Sequence, residues 1–150
     1  ATSLWLISIP LARETGSVVI PPGFMSWEVV ESDGVYNPTP YGFYLGGGSV
    51  TFRFHMGAEF SDLHVQELTL YLGCERANYG GSPTLPRVFL RDWGDGGWVQ
   101  QSGLVWGANP IRDPVAYVSP EGVIEVRVVA QQYYEMLSLD FGVRGDGSAD

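Results

Sequence analysis

The chain has 150 residues, of which 45% are hydrophobic and 13% aromatic, so it can bury the core of one folded domain and is not intrinsically disordered. Its basic residues, all arginines, number eight against 17 acidic residues, for a net charge of −9. Because so acidic a chain repels phosphate groups, neither nucleic acid nor an anionic membrane surface is an expected partner.

The dominant pattern along the chain is the two-residue alternation of half-buried β-strands. The predicted strands are, in chain order, Leu4–Ile9, Ser17–Ile20, Trp27–Glu31, Tyr41–Leu45, Ser49–Met56, Glu67–Leu72, Arg87–Trp93, Trp98–Gln101, Val123–Val128 and Leu137–Arg144. Many short strands separated by turns predict an all-β fold, a two-sheet antiparallel β-sandwich. The residues predicted to face its core are Val50, Phe52, Phe54, Leu68, Leu70, Leu72, Ile124, Val126, Leu137, Leu139 and Phe141.

Glycine and proline, 20 and 10 residues respectively, punctuate the chain without a fixed period or an interior linker. We therefore expect a single domain over residues 1–150, with 146–150 as a loose tail. The best helix candidate, Ala130–Tyr134, is one turn at most. The apolar run Leu4–Ile7 is far shorter than the ~20 residues that span a bilayer, so no membrane insertion by this segment is expected.

A hairpin is predicted where two strand-like runs flank Gly94–Gly97. The dipeptide Asp95-Gly96 is typical of a type I′ turn, whose two central residues both need positive φ. At least one of Gly96 and Gly97 should therefore have a positive φ. Trp93 and Trp98, at the two ends of the turn, are placed to pair across it or to cover the end of the sandwich.

Residues 68–145 resemble the second half of a galactose-binding-like jelly-roll domain, the β-sandwich of many carbohydrate-binding modules. The resemblance lies in the hairpin Arg91-Asp92-Trp93-Gly94-Asp95-Gly96-Gly97-Trp98, followed by Asn109–Pro114, Tyr117 and Glu121–Val128. This order also resembles the extracytoplasmic sandwich domains attached to large, uncharacterised bacterial membrane or surface proteins. It implies a jelly roll that is secreted or on the cell surface, and the opening residue Ala1 favours a mature or excised piece.

The sequence lacks the patterns that are typical of several kinds of catalytic site. Cys74 is the single cysteine, which excludes an internal disulfide, and His55 and His64 stand nine residues apart without a zinc-binding motif. No G-x-S-x-G occurs, and the acids near residue 30 do not reproduce the pattern of a jelly-roll glycosidase family. We therefore expect no enzymatic activity, with a glycosidase-like enzyme as the second alternative.

No cofactor is required by the sequence. Jelly-roll domains of the type resembled often hold a structural Ca²⁺, and the oxygen-rich pairs here are Asp92 with Asp95, Asn109 with Asp113, and Asp33 with Asn37. None of these pairs has the ligand spacing of an EF-hand. The sequence leaves structural calcium and solvated turn acids open as alternatives.

Aromatic residues in predicted loops give the best indication of a ligand, because sugar rings stack their C–H faces on Trp and Tyr. Tyr36, Tyr41, Phe43 and Tyr44 surround a proline-rich connection. The predicted ligand-binding residues are Trp106 as stacking ring, Asn109 and Arg112 as hydroxyl partners, and Tyr79 as a second wall. The alternative is that such rings only cap the core.

These features predict a non-catalytic accessory or interaction module whose partner is a glycan or a neighbouring protein domain. The alternative function is a purely structural domain that packs on the rest of a larger surface protein.

Overall fold

The structure, a computed structural model, describes residues 16–76, 84–130 and 136–147. Over these ranges the regular elements are nine strands and two short 3-10 turns. The strands are β1 (Ser17–Ile20), β2 (Ser26–Thr39), β3 (Gly42–His55), β4 (His64–Arg76), β5 (Arg87–Arg91), β6 (Trp98–Gln101), β7 (Gly107–Pro110), β8 (Val123–Ala130) and β9 (Met136–Asp146). The 3-10 turns are Ala58–Phe60 and Pro114–Tyr117.

The strands pair antiparallel in the order β6-β5-β8-β3-β9-β4-β7, with β1 on β9 and β2 on β3. Strand β3 joins the two halves of this curled sheet, because residues 48–55 pair with β8 while Phe43 pairs with Leu137 of β9. The predicted all-β antiparallel sandwich is thus confirmed, and the jelly-roll winding stays a prediction. No helix in the described ranges is long and apolar enough to cross a membrane.

The core confirms the predicted alternation. Every residue predicted to face inward is buried, except Leu139, which is partly buried and packs against the others. Phe54 of β3 and Phe141 of β9 meet edge-on, with ring centroids 5.1 Å apart, and so tie the two halves of the sheet together.

Strands β2 and β3 form a hairpin of 14 residues on each side, longer than the strands predicted there. The triplet Gly46–Gly48 lies inside β3, where the register shifts between Asp33 and Val35 of β2. A Cβ on Gly48 would overlap the carbonyl oxygen of Asp33. Glycine is therefore required where the two strands approach each other at the bulge.

The predicted hairpin between β5 and β6 is present, and Gly96 has a φ of +79° as expected. The type I′ turn is wrong, because Asp95 does not have the positive φ that this turn needs. The connection is a six-residue loop, since Arg91 and Trp98 form the last strand pair. Its loop is closed by a hydrogen bond from the N–H of Gly96 to the carbonyl of Asp92, at 2.7 Å.

At the carboxyl end, Asp146 is the last residue of β9, paired with Ser17 and His64. It thus belongs to the sheet and not to the tail predicted to begin there, whose residues 148–150 lie outside the described ranges. The predicted strand Leu4–Ile9 lies outside them as well, as does nearly all of the helical turn predicted at 130–134.

Candidate functional site

A concave, ring-lined surface of about 260 Å³ lies beside the β2–β3 hairpin. We call it the aromatic groove. The residues that characterise it are Trp27, Tyr36, Tyr41, Phe52, Ser138 and Asp140. The β2–β3 hairpin contributes the rings, and β9 contributes the polar side. The groove therefore lies where the two halves of the sheet meet.

Trp27 is exposed because of its place in the sheet. It pairs with Phe54 and packs edge-on against Phe52, with centroids 5.6 Å apart, as a core-facing residue would. However, β2 is an edge strand that pairs only with β3 among the described strands, and nearly all of its side chains are exposed, so Trp27 remains 54% exposed. Tyr36, further along β2, lies on the same Phe52 ring at 6.1 Å. Two rings thus flank a buried phenylalanine floor.

Tyr41 occupies the turn of the hairpin and is 76% exposed. The turn is held by Thr39, whose hydroxyl donates to the carbonyl of Gly42 at 3.0 Å and accepts the N–H of Tyr41 at 3.2 Å. The Thr39 hydroxyl also lies 3.2 Å from the sulfur of Met136, which links the turn to β9. Tyr41 therefore presents a solvent-facing ring on a fixed backbone.

Asp140 supplies the carboxylate of the groove. Its Oδ1 accepts the N–H of Phe141 at 2.8 Å, and its carboxylate also accepts the backbone N–H of Gly23. Burial nevertheless raises the pKa of Asp140, because desolvation outweighs these two hydrogen bonds. No described cation forms an ion pair with it. A half-buried carboxylate that lacks a counter-charge among the described residues is a candidate functional group.

A second concavity of about 500 Å³ lies on the outer face of β3, β8, β5 and β6. At its centre the side chain of Glu125, only 6% exposed, accepts hydrogen bonds from Arg53 and Arg91, both at 2.7 Å. Burial raises the pKa of Glu125, but the hydrogen bonds and charges of the two arginines lower it further, so the net shift is downward. The carboxylate stays ionised as a clamp between strands.

The tryptophan ring on this outer face is covered by arginine side chains of the protein itself. The guanidinium groups of Arg91 and Arg127 lie 4.5 and 4.4 Å from the ring centroid of Trp98. Arg127 in turn contacts Thr51 at 3.3 Å and Glu31 at 3.5 Å. Since these charges and the ring engage one another, the arrangement is best explained as a cross-strand clamp.

Comparison with known proteins gives one relationship. A family model described as a domain of unknown function, DUF8815, matches residues 19–145. The chain belongs to the DUF8815 family. No curated protein and no solved structure shows significant similarity to it. The matched range of the DUF8815 domain includes both the aromatic groove and the cluster of arginines around Glu125 and Trp98.

The predicted ligand residues of the DUF8815 domain that the structure describes differ in accessibility. Asn109 is 4% exposed, its Oδ1 accepts the N–H of Val105 at 2.7 Å, and its amide nitrogen donates to three backbone carbonyls. One of these bonds, to the carbonyl of Leu70, reaches β4, and the others go to Val105 and Gly107, so a sugar hydroxyl would have to compete with the protein's own backbone. A ligand-binding role for Asn109 stays a prediction. Trp106 is partly buried against the core, Arg112 is exposed, and Tyr79 lies outside the described residues.

One of the acidic pairs of the DUF8815 domain, Asp92 with Asp95, shapes the loop between β5 and β6. Asp92 and Asp95 each accept a backbone N–H two residues ahead, from Gly94 at 2.8 Å and Gly97 at 2.7 Å. In the described part of the chain no three His, Cys, Asp or Glu side chains cluster around a metal position. His55 lies 3.0 Å from a carboxylate oxygen of Glu28 at the surface. Structural calcium therefore stays a prediction.

Sequence reasoning missed Trp27 and Asp140 of the DUF8815 domain. Both residues lie in predicted strands with a visible alternation, but their accessibility depends on which strands pack over them. Tyr36 and Tyr41 were identified as aromatic residues around the proline-rich connection, although not as partners of Trp27. That β2 lies at a sheet edge is a property of the topology, which no local pattern reports.

Proposed function

We propose that this DUF8815 domain is a non-catalytic, extracytoplasmic interaction module that binds a glycan in the aromatic groove. The observation that carries the proposal is the pair of exposed rings, Trp27 and Tyr41, above a groove that also contains Ser138 and Asp140. Sugars offer apolar C–H faces for stacking and hydroxyls for hydrogen bonds, so a binding site needs both elements together.

The size of the groove suits a short saccharide segment. Its volume of about 260 Å³ is just below the range of roughly 300–1,000 Å³ that is typical of small-molecule pockets. A ligand would thus place one or two rings in the groove and leave the rest in solvent. We expect modest affinity, which multivalent presentation of the glycan would raise.

A non-catalytic role is supported by the chemistry of the lining. Glycoside hydrolysis by the common mechanisms needs two carboxyl groups on either side of the scissile bond. Among the described residues that line the groove, Asp140 is the one carboxylic acid. The extracytoplasmic location rests on the resemblance of residues 68–145 to domains of surface proteins.

A glycan-array screen tests the proposal, with the wild type beside Tyr41→Ala and Trp27→Ala. Loss of a central ring should weaken binding by about 1–3 kcal/mol. Val115→Ala is the matched control, since Val115 is 69% exposed and does not line the groove. Thermal melts of all four proteins separate lost binding from lost folding. Absence of glycan binding by the folded wild type would overturn the proposal.

The second candidate is a structural domain that packs on a neighbouring domain through β2. It is favoured by the row of exposed hydrophobic residues around this edge strand, namely Phe24, Trp27, Val29, Val30 and Val35. Edge strands offer unpaired backbone groups to a partner. Hydrogen exchange of the β2 amides that are not bonded to β3 decides this alternative, since a docked neighbour would protect them while the isolated domain would leave them open.

A further inference from the structure

We infer that the aromatic groove selects a cationic saccharide, one whose protonated amine lies against Asp140 and the rings of Trp27 and Tyr41. This inference rests on the proposed glycan-binding function and names the ligand class for the same site. It follows from the charge of the groove, from the position of the arginines and from the cost of covering Asp140.

Among the described residues, the charge of the groove is negative and uncompensated. Asp140 receives only the backbone N–H groups of Phe141 and Gly23, and none of the described lining residues is an arginine or a histidine. The surrounding rings add to this, because the face of an aromatic ring is electron-rich and attracts cations. The net charge of −9 on the whole chain has the same sign.

The described arginines are engaged or located elsewhere. Arg53 and Arg91 bind Glu125, and Arg127 lies over Trp98, all on the outer face. Arg144 donates to Glu67 at 2.9 Å and to Gln66 at 3.0 Å. Arg87 and Arg112 are exposed side chains that do not line the groove. None of these six side chains supplies a positive charge to Asp140.

Covering the groove affects Asp140 differently for each class of ligand. A neutral sugar would remove the remaining water from a carboxylate that is already half-buried, and desolvation disfavours the charged form. An anionic sugar, such as a uronic acid, would add repulsion between like charges. A protonated amine reverses both effects, because it forms a charge-assisted hydrogen bond with the carboxylate and contacts the rings as a cation.

Isothermal titration calorimetry at about pH 6, where an amine is protonated, tests the inference with four ligands. Two have the same β-1,4-linked backbone and differ only at the nitrogen: an oligomer of glucosamine and an oligomer of N-acetylglucosamine. Oligogalacturonate supplies the anionic saccharide, and choline supplies a cation without a sugar. We expect the glucosamine oligomer to bind about tenfold more tightly than its acetylated counterpart, and oligogalacturonate to bind least.

The variant Asp140→Asn removes the charge and retains the shape, so the roughly tenfold preference for the glucosamine oligomer over its acetylated counterpart should disappear. Asp62→Asn is the matched control, since it makes the same change in net charge at an exposed residue outside the groove. Thermal melts verify that each variant is folded. In the wild type the preference should also weaken as salt is raised.

The outcomes separate this inference from the function on which it rests. Equal binding of the two matched oligomers, or a preference that Asp140→Asn leaves intact, would overturn the inference and leave glycan binding in place. Binding of choline as tight as that of the glucosamine oligomer would support the charge selection and overturn the saccharide as ligand. A wild type that binds none of the four would overturn the inference.

Discussion

Arg91 donates its Nε–H to Oε1 of Glu125 at 2.7 Å, across the pair formed by β5 and β8. Arg53 of β3 binds the other oxygen, at 2.7 Å. Three adjacent strands are thus joined by one carboxylate whose side chain is 6% exposed. Removing a single partner leaves a buried charge only partly compensated, which costs more than the loss of a surface ion pair.

The first prediction is that Arg91→Met lowers the free energy of unfolding by about 3 kcal/mol in urea titrations at neutral pH. Arg87→Met, at an exposed position on the same strand, should change it by less than about 0.5 kcal/mol. Because the folded-state pKa of Glu125 lies below its unfolded-state pKa, the bonds of Glu125 to the arginines stabilise the fold at pH values above the unfolded-state pKa. This stabilisation is lost on acidification. Wild type and Arg91→Met should therefore converge in stability as the pH falls, and parallel acid curves would contradict the clamp.

The second prediction concerns the close approach of β2 and β3. Gly48→Ala places a methyl group against the carbonyl oxygen of Asp33, and a backbone atom cannot rotate away as a side chain can. We expect a loss of about 2–3 kcal/mol, measured by chemical unfolding. Gly47→Ala is the control, because its Cβ meets no atom and only the φ of +64° opposes it, for about 1 kcal/mol. Equal losses in the two variants would show that the close approach is not a constraint.

The third prediction concerns the loop between β5 and β6. Gly96 has a φ of +79° and open space around it, so a substitution there acts through the backbone alone. Gly96→Val should cost about 1–2 kcal/mol, while Gly96→Asn should cost clearly less, because asparagine tolerates this region. The comparison is made by thermal melting. A valine variant as stable as the asparagine variant would mean that the loop rearranges.

The sequence predicted the elements whose periodicity is unbroken. Phe52 and Phe54 alternate cleanly and are buried, as predicted. The full length of β2 could not be predicted, because Gly34 and Pro38 are poor strand formers and bulges interrupt its two-residue period. There the pairing with β3 decides the structure, so tertiary contacts override local preference.

The candidate site was harder to predict, for two physical reasons. Trp27 and Asp140 are distant in sequence, and only the meeting of β3 with β9 brings them to one groove. Asn109 has the residue type of a ligand contact, but it lies in β7 and its amide binds the backbone of Val105, Gly107 and Leu70. A polar side chain can either bind a ligand or hold the protein's own backbone, and the sequence does not distinguish these two roles.

The fourth prediction follows from the burial that raises the pKa of Asp140. A carboxyl group whose folded-state pKa lies above its unfolded value stabilises the fold while protonated, and that contribution is lost as the pH rises through the folded-state pKa. Asp140→Asn removes this pH-dependent loss of stability and keeps a side-chain oxygen that can accept the N–H groups of Phe141 and Gly23. The free energy of unfolding of the variant minus that of the wild type should therefore be larger at about pH 7 than at about pH 3. Urea unfolding at the two pH values measures this, and a constant difference would contradict it.

The fifth prediction distinguishes the aromatic groove from the loop around Trp106. Trp106 is partly buried and packs against the core, and it lines the same small cavity as Phe43, Leu72 and Leu137. Trp106→Ala should therefore lower the free energy of unfolding by about 2–3 kcal/mol, somewhat less than truncation of a fully buried tryptophan. It should leave the affinity for a groove ligand unchanged under conditions where the variant is folded, whereas Tyr41→Ala should do the reverse. Melting curves and glycan titrations of both variants make the comparison. If Trp106→Ala kept its melting temperature and lost affinity, the ligand would lie at the loop and not in the groove.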